Sequence, residues 1–135
     1  MAVEWYGDSL LDKIRRAAMV GVIDGVESVI EEGNSMIMDG KKTGRIYRRR
    51  GVEHQASAPG EAPASDTGRL VQSAHSEFDP ADLSGEAIWS TEYAKPLEYG
   101  TAKMAPRPYA RPALANKKDE IVSGIEGEIA AVLKG

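Results

Sequence analysis

Three prolines in seven residues, Pro106, Pro108 and Pro112, lie in the segment YAKPLEYGTAKMAPRPYARPAL at residues 93–114. Proline fixes φ and removes a backbone donor, so this stretch cannot run through a helix interior or a central strand. Its residue order predicts three pieces. A short helix over 92–99, capped by Thr91 and held on the body by Tyr93, Leu97 and Tyr99, stops at Gly100. A rigid extended arm covers 101–112. A second helix then starts at Pro112, where the first turn has no use for the missing N–H. Met104, Arg107, Tyr109 and Arg111 are residue types enriched at protein interfaces, and an extended Pro-rich segment loses little entropy on binding. The arm therefore reads either as a surface for gripping a partner or as a rigid connector.

The flanks of this segment set the fold class. Leu10, Leu11, Ile14, Ala17, Ala18, Gly21, Val22, Gly25, Val26, Val29, Ile30, Gly33 and Ile37 recur with the helical period, predicting a helix over 9–38. Ser9 is its expected cap and Asp39-Gly40 its expected stop. Gly21 and Gly25 fall on one face, either to admit another backbone or because the core lacks room there. Leu114, Ile121, Val122, Ile125, Ile129, Val132 and Leu133 repeat the period from Pro112 onward. Between the helices, 44–49, 74–78 and 85–90 read as strands, with a turn at 79–82. Residues 67–70 open a short turn or helix. Residues 50–66 are poor in apolar side chains and rich in Ala, Pro, Ser and Gly, which predicts a long loop or mobile excursion. The expectation is a single α+β domain over 1–135: a small antiparallel sheet packed by a long N-terminal helix and a C-terminal helix, with one long loop.

Composition excludes several classes of function. There is no Cys, hence no disulfide framework and no thiolate metal site. The apolar runs are too short to span a bilayer, and no secretory segment follows Met1. His54 and His75 are the only histidines, and neither has companions at metal-ligand spacing. Ser57, Ser65, Ser73 and Ser76 lack a nucleophile context, no phosphate-binding Gly loop is present, and a polar turn accounts for Asp79 and Asp82. No catalytic, cofactor-binding or metal-binding residue is assigned, and the chain reads as a non-enzyme.

Charge is sorted along the chain. Residues 1–40 hold eight acidic and three basic side chains, whereas residues 41–50 hold six basic ones (Lys41, Lys42, Arg45, Arg48, Arg49, Arg50) and no acid. That basic run has three readings: contacts to nucleic-acid phosphates, a strand edge guarded against unwanted pairing, or an electrostatic contact with the acidic region of a second copy.

Two blocks of the sequence resemble a family. One is Tyr93-Ala94, Leu97-Glu98-Tyr99-Gly100-Thr101, Met104, Arg107-Pro108-Tyr109 and Arg111-Pro112-Ala113-Leu114. The other is Ser57-Ala58-Pro59-Gly60-Glu61-Ala62-Pro63 followed by Thr67-Gly68-Arg69-Leu70. In this order after a long helix, they resemble the head–tail joining proteins of lambda-like long-tailed bacteriophages, the tail-completion and tail-terminator proteins. The resemblance implies a non-enzymatic structural subunit, without cofactor, that forms a ring, a hexamer by expectation, at the top of the tail tube. Its partners would be copies of itself, the tail-tube protein and the head-side connector, with DNA passing through the lumen without specific binding. Its place would be the neck of the virion, reached from the host cytoplasm during assembly. Arg48, Arg49, Arg50, His54, Ser57, Pro59, Gly60, Pro63, Met104, Arg107, Tyr109 and Arg111 are the expected partner-facing residues. The alternative is a nucleic-acid-binding module using residues 41–50.

Overall fold

The computed structural model describes residues 7–64 and 68–135. The expected α+β class holds. Helix α1 (Gly7–Asp39) is followed by strands β1 (Ile46–Arg49) and β2 (Val52–Gln55), helix α2 (Arg69–Gln72), strands β3 (Ala74–Asp79) and β4 (Ser84–Trp89), and helices α3 (Ala94–Tyr99) and α4 (Ala110–Lys134). No helix among the described residues is long and apolar enough to cross a membrane.

Helix α1, roughly 50 Å long, is the spine. Helix α4 lies antiparallel along it, because the glycines admit its side chains. A Cβ on Gly21 would stand 2.7 Å from Ile125 Cγ1, and one on Gly25 2.8 Å from Ile121 Cγ2. Close approach therefore decides between the two readings of these glycines. Gly33 leaves space in the same way for the Trp89 ring, whose Nε1 donates to Asn34 Oδ1 at 2.9 Å. Lys117 Nζ lies 3.7 Å from Glu32 and 3.2 Å from Glu120, adding an ion pair across the helix seam.

The single sheet expected from the sequence is instead two separate antiparallel hairpins, β1–β2 and β3–β4. The β3–β4 hairpin lies along α1. Its turn is held where the Arg15 guanidinium donates to the Ala81 carbonyl, and its far end where Trp89 meets Asn34. The β1–β2 hairpin follows the C-terminal end of α1, where Lys42 Nζ donates to the Met36 carbonyl.

The loop expected over 50–66 is corrected by strand β2. Arg50 and Gly51 both take positive φ, 53° and 75°, the conformation of a two-residue hairpin turn, which a search for Asn-Gly or Asp-Gly misses. The pairing continues below the strands, with Gly44 N–H donating to Ala56 O and Ala56 N–H to Arg45 O. Residues 56–64 are also anchored. Glu61 Oε1 accepts from the N–H groups of Thr43 (2.8 Å) and Ala58 (2.7 Å), while Oε2 accepts from Thr43 Oγ1. The end of the expected loop, 65–66, and Thr67 lie outside the described residues.

Three expected helix starts also shift. Ser9 lies within α1 rather than at its cap. Thr91 does not cap α3, and its buried Oγ1 has no hydrogen-bond partner among the described residues. Helix α4 begins two residues before Pro112. The core is small: Val29, Ile37, Ala62, Leu70, Trp89, Ala94, Tyr109 and Ala113 form its buried cluster.

Candidate functional site

The start of α4 shows what residues 93–114 do. No side chain of Tyr109, the residue preceding the helix, caps it, and four N-terminal N–H groups of a helix need acceptors from elsewhere. Glu98, in α3, supplies them. Its Oε2 accepts from the N–H groups of Tyr109 (2.7 Å) and Ala110 (3.0 Å), and its Oε1 from the N–H of Arg111 (2.8 Å). Pro112 has no N–H to satisfy. The Arg111 side chain completes the cradle, Nε donating to Oε1 at 3.0 Å and an NH2 nitrogen to the Glu98 carbonyl at 2.7 Å. Glu98 is 4% exposed. Burial works against its charge, but the three backbone donors and the guanidinium outweigh it and hold the carboxyl below its usual range.

Tyr109 lies beside this carboxylate at 2% exposure. Its hydroxyl donates to the Ala94 carbonyl at 3.0 Å, and its ring meets Trp89 edge-on, centroids 5.1 Å apart. Burial, then the charge of Glu98, pushes its phenol up. The arm follows the same plan. Gly100, at φ 76°, turns the chain where a Cβ would stand 2.8 Å from the Met104 carbonyl oxygen. Thr101 and Met104 then exchange backbone hydrogen bonds, and Arg107 N–H donates to Leu97 O.

The arm also clasps the segment after β2. Arg107 Nε donates to both Ser57 Oγ (3.1 Å) and Ser57 O (3.3 Å), and Gly60 N–H donates to Pro106 O at 3.0 Å. The two sequence blocks that carry the family resemblance are thus in contact. Together they brace the base of the β1–β2 hairpin.

This placement sorts the expected partner-facing residues. Tyr109 and Pro63 are buried within the chain, so neither faces outward. Ser57, Gly60 and Arg107 are occupied in the clasp, Met104 exchanges backbone hydrogen bonds with Thr101 inside the arm, and Arg111 is held on Glu98 with its guanidinium 4.6 Å from the Tyr99 ring centroid. Arg48, Arg49, Arg50 and Pro59 are exposed, while His54 stacks on Tyr47 at 5.6 Å. Of the expected anchors of α3, Tyr93 and Leu97 pack partly buried against the core, whereas Tyr99 is exposed and the fully buried residues are Ala94 and Glu98. Glu98 was available in the sequence only indirectly, as an acid upstream of a helix start that lacks its own capping side chain.

A second feature is absent from the sequence reading. An apolar groove of about 470 Å³ runs between β4 and α4 over α1, with Val22, Val26, Trp89, Leu114, Ile121 and Ile125 among its walls. Among the described residues no group of acids and histidines can hold a metal ion. No protein-family model, curated protein or solved structure matches the chain.

Proposed function

We propose that this protein is a structural subunit of the neck of a long-tailed phage. It forms a ring at the top of the tail tube and joins the tail to the head-side connector. The observation that carries the reading is the clasp. The residues resembling the head–tail joining family, from two distant blocks, meet through Arg107–Ser57 and Gly60–Pro106. They serve a common mechanical purpose, fixing a projecting basic hairpin to a rigid two-helix body. A subunit that transmits position from one ring face to another needs such bracing.

Electron microscopy of the purified protein, alone and mixed with tails lacking their terminal ring, tests the reading. Closed rings with an axial opening, or density added at one tail end, are expected. Replacing residues 46–55 by an Asn-Gly turn keeps the Arg45–Ala56 pairing that closes the hairpin base. The shortened chain should fold and lose joining. The second reading, nucleic-acid binding, is favoured by Arg48, Arg49 and Arg50 standing together at an exposed hairpin tip. It predicts binding to duplex DNA that falls steeply with salt. That result, without any association with tails, would replace the neck assignment.

A further inference from the structure

The chain exposes more surface than its mass requires. Its accessible area is 9098 Å², whereas a compact 14.5 kDa monomer exposes roughly 6,900 Å². The excess, about 2,200 Å², would supply two faces of the ~800 Å² that each partner contributes to a standard interface. The apolar β4–α4 groove is one such face. It is lined by residues of β4 but none of β3. Among the described residues strand β4 pairs only with β3, so the groove runs beside an edge of β4 to which a further strand can add.

Charge selects the occupant. Residues 74–89 contain four acids and no Lys or Arg. Glu86, at the groove, sits directly opposite Glu77 in the ladder, a like-charge pair that costs stability until a cation joins it. His75 Nε2 is 3.9 Å from Glu77. Arg111, the basic residue of the groove wall, is already held by Glu98. The complementary element is the β1–β2 hairpin of the same sequence. It carries Arg48, Arg49 and Arg50 against one acid, Glu53, which stands opposite Arg48 in its own ladder, and the exposed apolar side chains Ile46 (58%) and Val52 (56%). Ile46 and Arg48 share one face of β1, roughly 6.8 Å apart. Within one chain the hairpins are not joined by strand pairing, since β3–β4 lies along α1 and β1–β2 follows its C-terminal end.

We propose that the β1–β2 hairpin of one copy docks along β4 of the next. Ile46 packs beside Ile88, and Arg48 lies between Glu86 and Glu77, all on the hairpin face turned away from α1. This inference rests on the neck-ring reading, for which it supplies the subunit contact. A contact between two different surfaces of identical chains is heterologous and propagates head to tail, closing into a ring when the rotation allows.

Sedimentation velocity of the full chain over a concentration series provides the test. Arg48→Glu, and separately Glu77→Lys with Glu86→Lys, should each weaken self-association about tenfold or more and leave circular dichroism unchanged. Mixing the two variants should restore association, because each then offers the complement of the other. Ile46→Ser should weaken it while leaving every charge in place. Variants that associate like the wild type would overturn this contact while rings seen by microscopy still supported the neck reading. Failure of the mixture to associate, or a wild-type chain that stays monomeric at every concentration, would also overturn it. Binding to tails, read separately, decides the neck assignment itself.

Discussion

Replacing Glu98 by Ala strips acceptors from three backbone N–H groups and the Arg111 guanidinium at once. Losing a cap and leaving donors unpaired should cost about 2–4 kcal/mol, measured by urea unfolding. Arg111→Ala should cost about 1 kcal/mol or less, because its side chain is 56% exposed and the backbone cap stays. Equal losses in the two variants would make the guanidinium, rather than the cap, the important part. The carboxyl is held below its usual range, so its contribution is present above the unfolded-state value of roughly 4.3 and is lost as pH falls through the lower folded value. Melting temperatures of wild type and Glu98→Gln should therefore differ steadily near neutral pH and converge in acid. Glu61, also lowered by backbone donors from Ala58 and Thr43, steepens the acid limb in both proteins. Reading the sequence placed Arg107, Tyr109 and Arg111 in a special segment, but pointed them outward. Residue type marks a side chain as capable of strong contacts; it does not say whether the partner is another molecule or the same chain.

The helices show where periodicity suffices and where it fails. The helical period of α1 and α4 is legible because each packs one stripe against the other, although α4 fully buries Ala113 alone and leaves Leu114, Val122 and Leu133 exposed. The glycines divide by what they face, which no single sequence reveals. Gly21→Ala and Gly25→Ala place a methyl against Ile125 and Ile121 and should destabilise by about 1–3 kcal/mol despite better helix propensity. Gly124→Ala and Gly127→Ala meet nothing within 4 Å and should stabilise by about 0.5–1 kcal/mol each. Thermal unfolding of the four single variants checks both signs. Strand β1 is legible in the sequence, but β2 and the turn before it are not, because the turn uses Arg50 at φ 53°. Arg50→Gly or Arg50→Asn should relieve that strain by about 1 kcal/mol. The same unfolding assay applies, and no gain would mean that the arginine is compensated by contacts of its own.

At the scale of the molecule, the class and the order of elements were readable, whereas the separation of the strands into two hairpins was not. Strand period identifies a face but not a neighbour, and β1 and β4 could as well have paired within one sheet. Their separation leaves a small core. Among the described residues, Ile37 is its only large side chain with less than 2% exposure, and much apolar surface remains for other copies to cover. The antiparallel seam between α1 and α4 has a further consequence. Gly21 and Ile125, which touch, are separated by about a hundred residues of chain. At ~5–20 residues per second, the first helix leaves the ribosome about 5–20 s before its partner. During that interval its apolar stripe is open to chaperones and to other nascent chains, which makes the rate of synthesis, as well as the sequence, a determinant of yield.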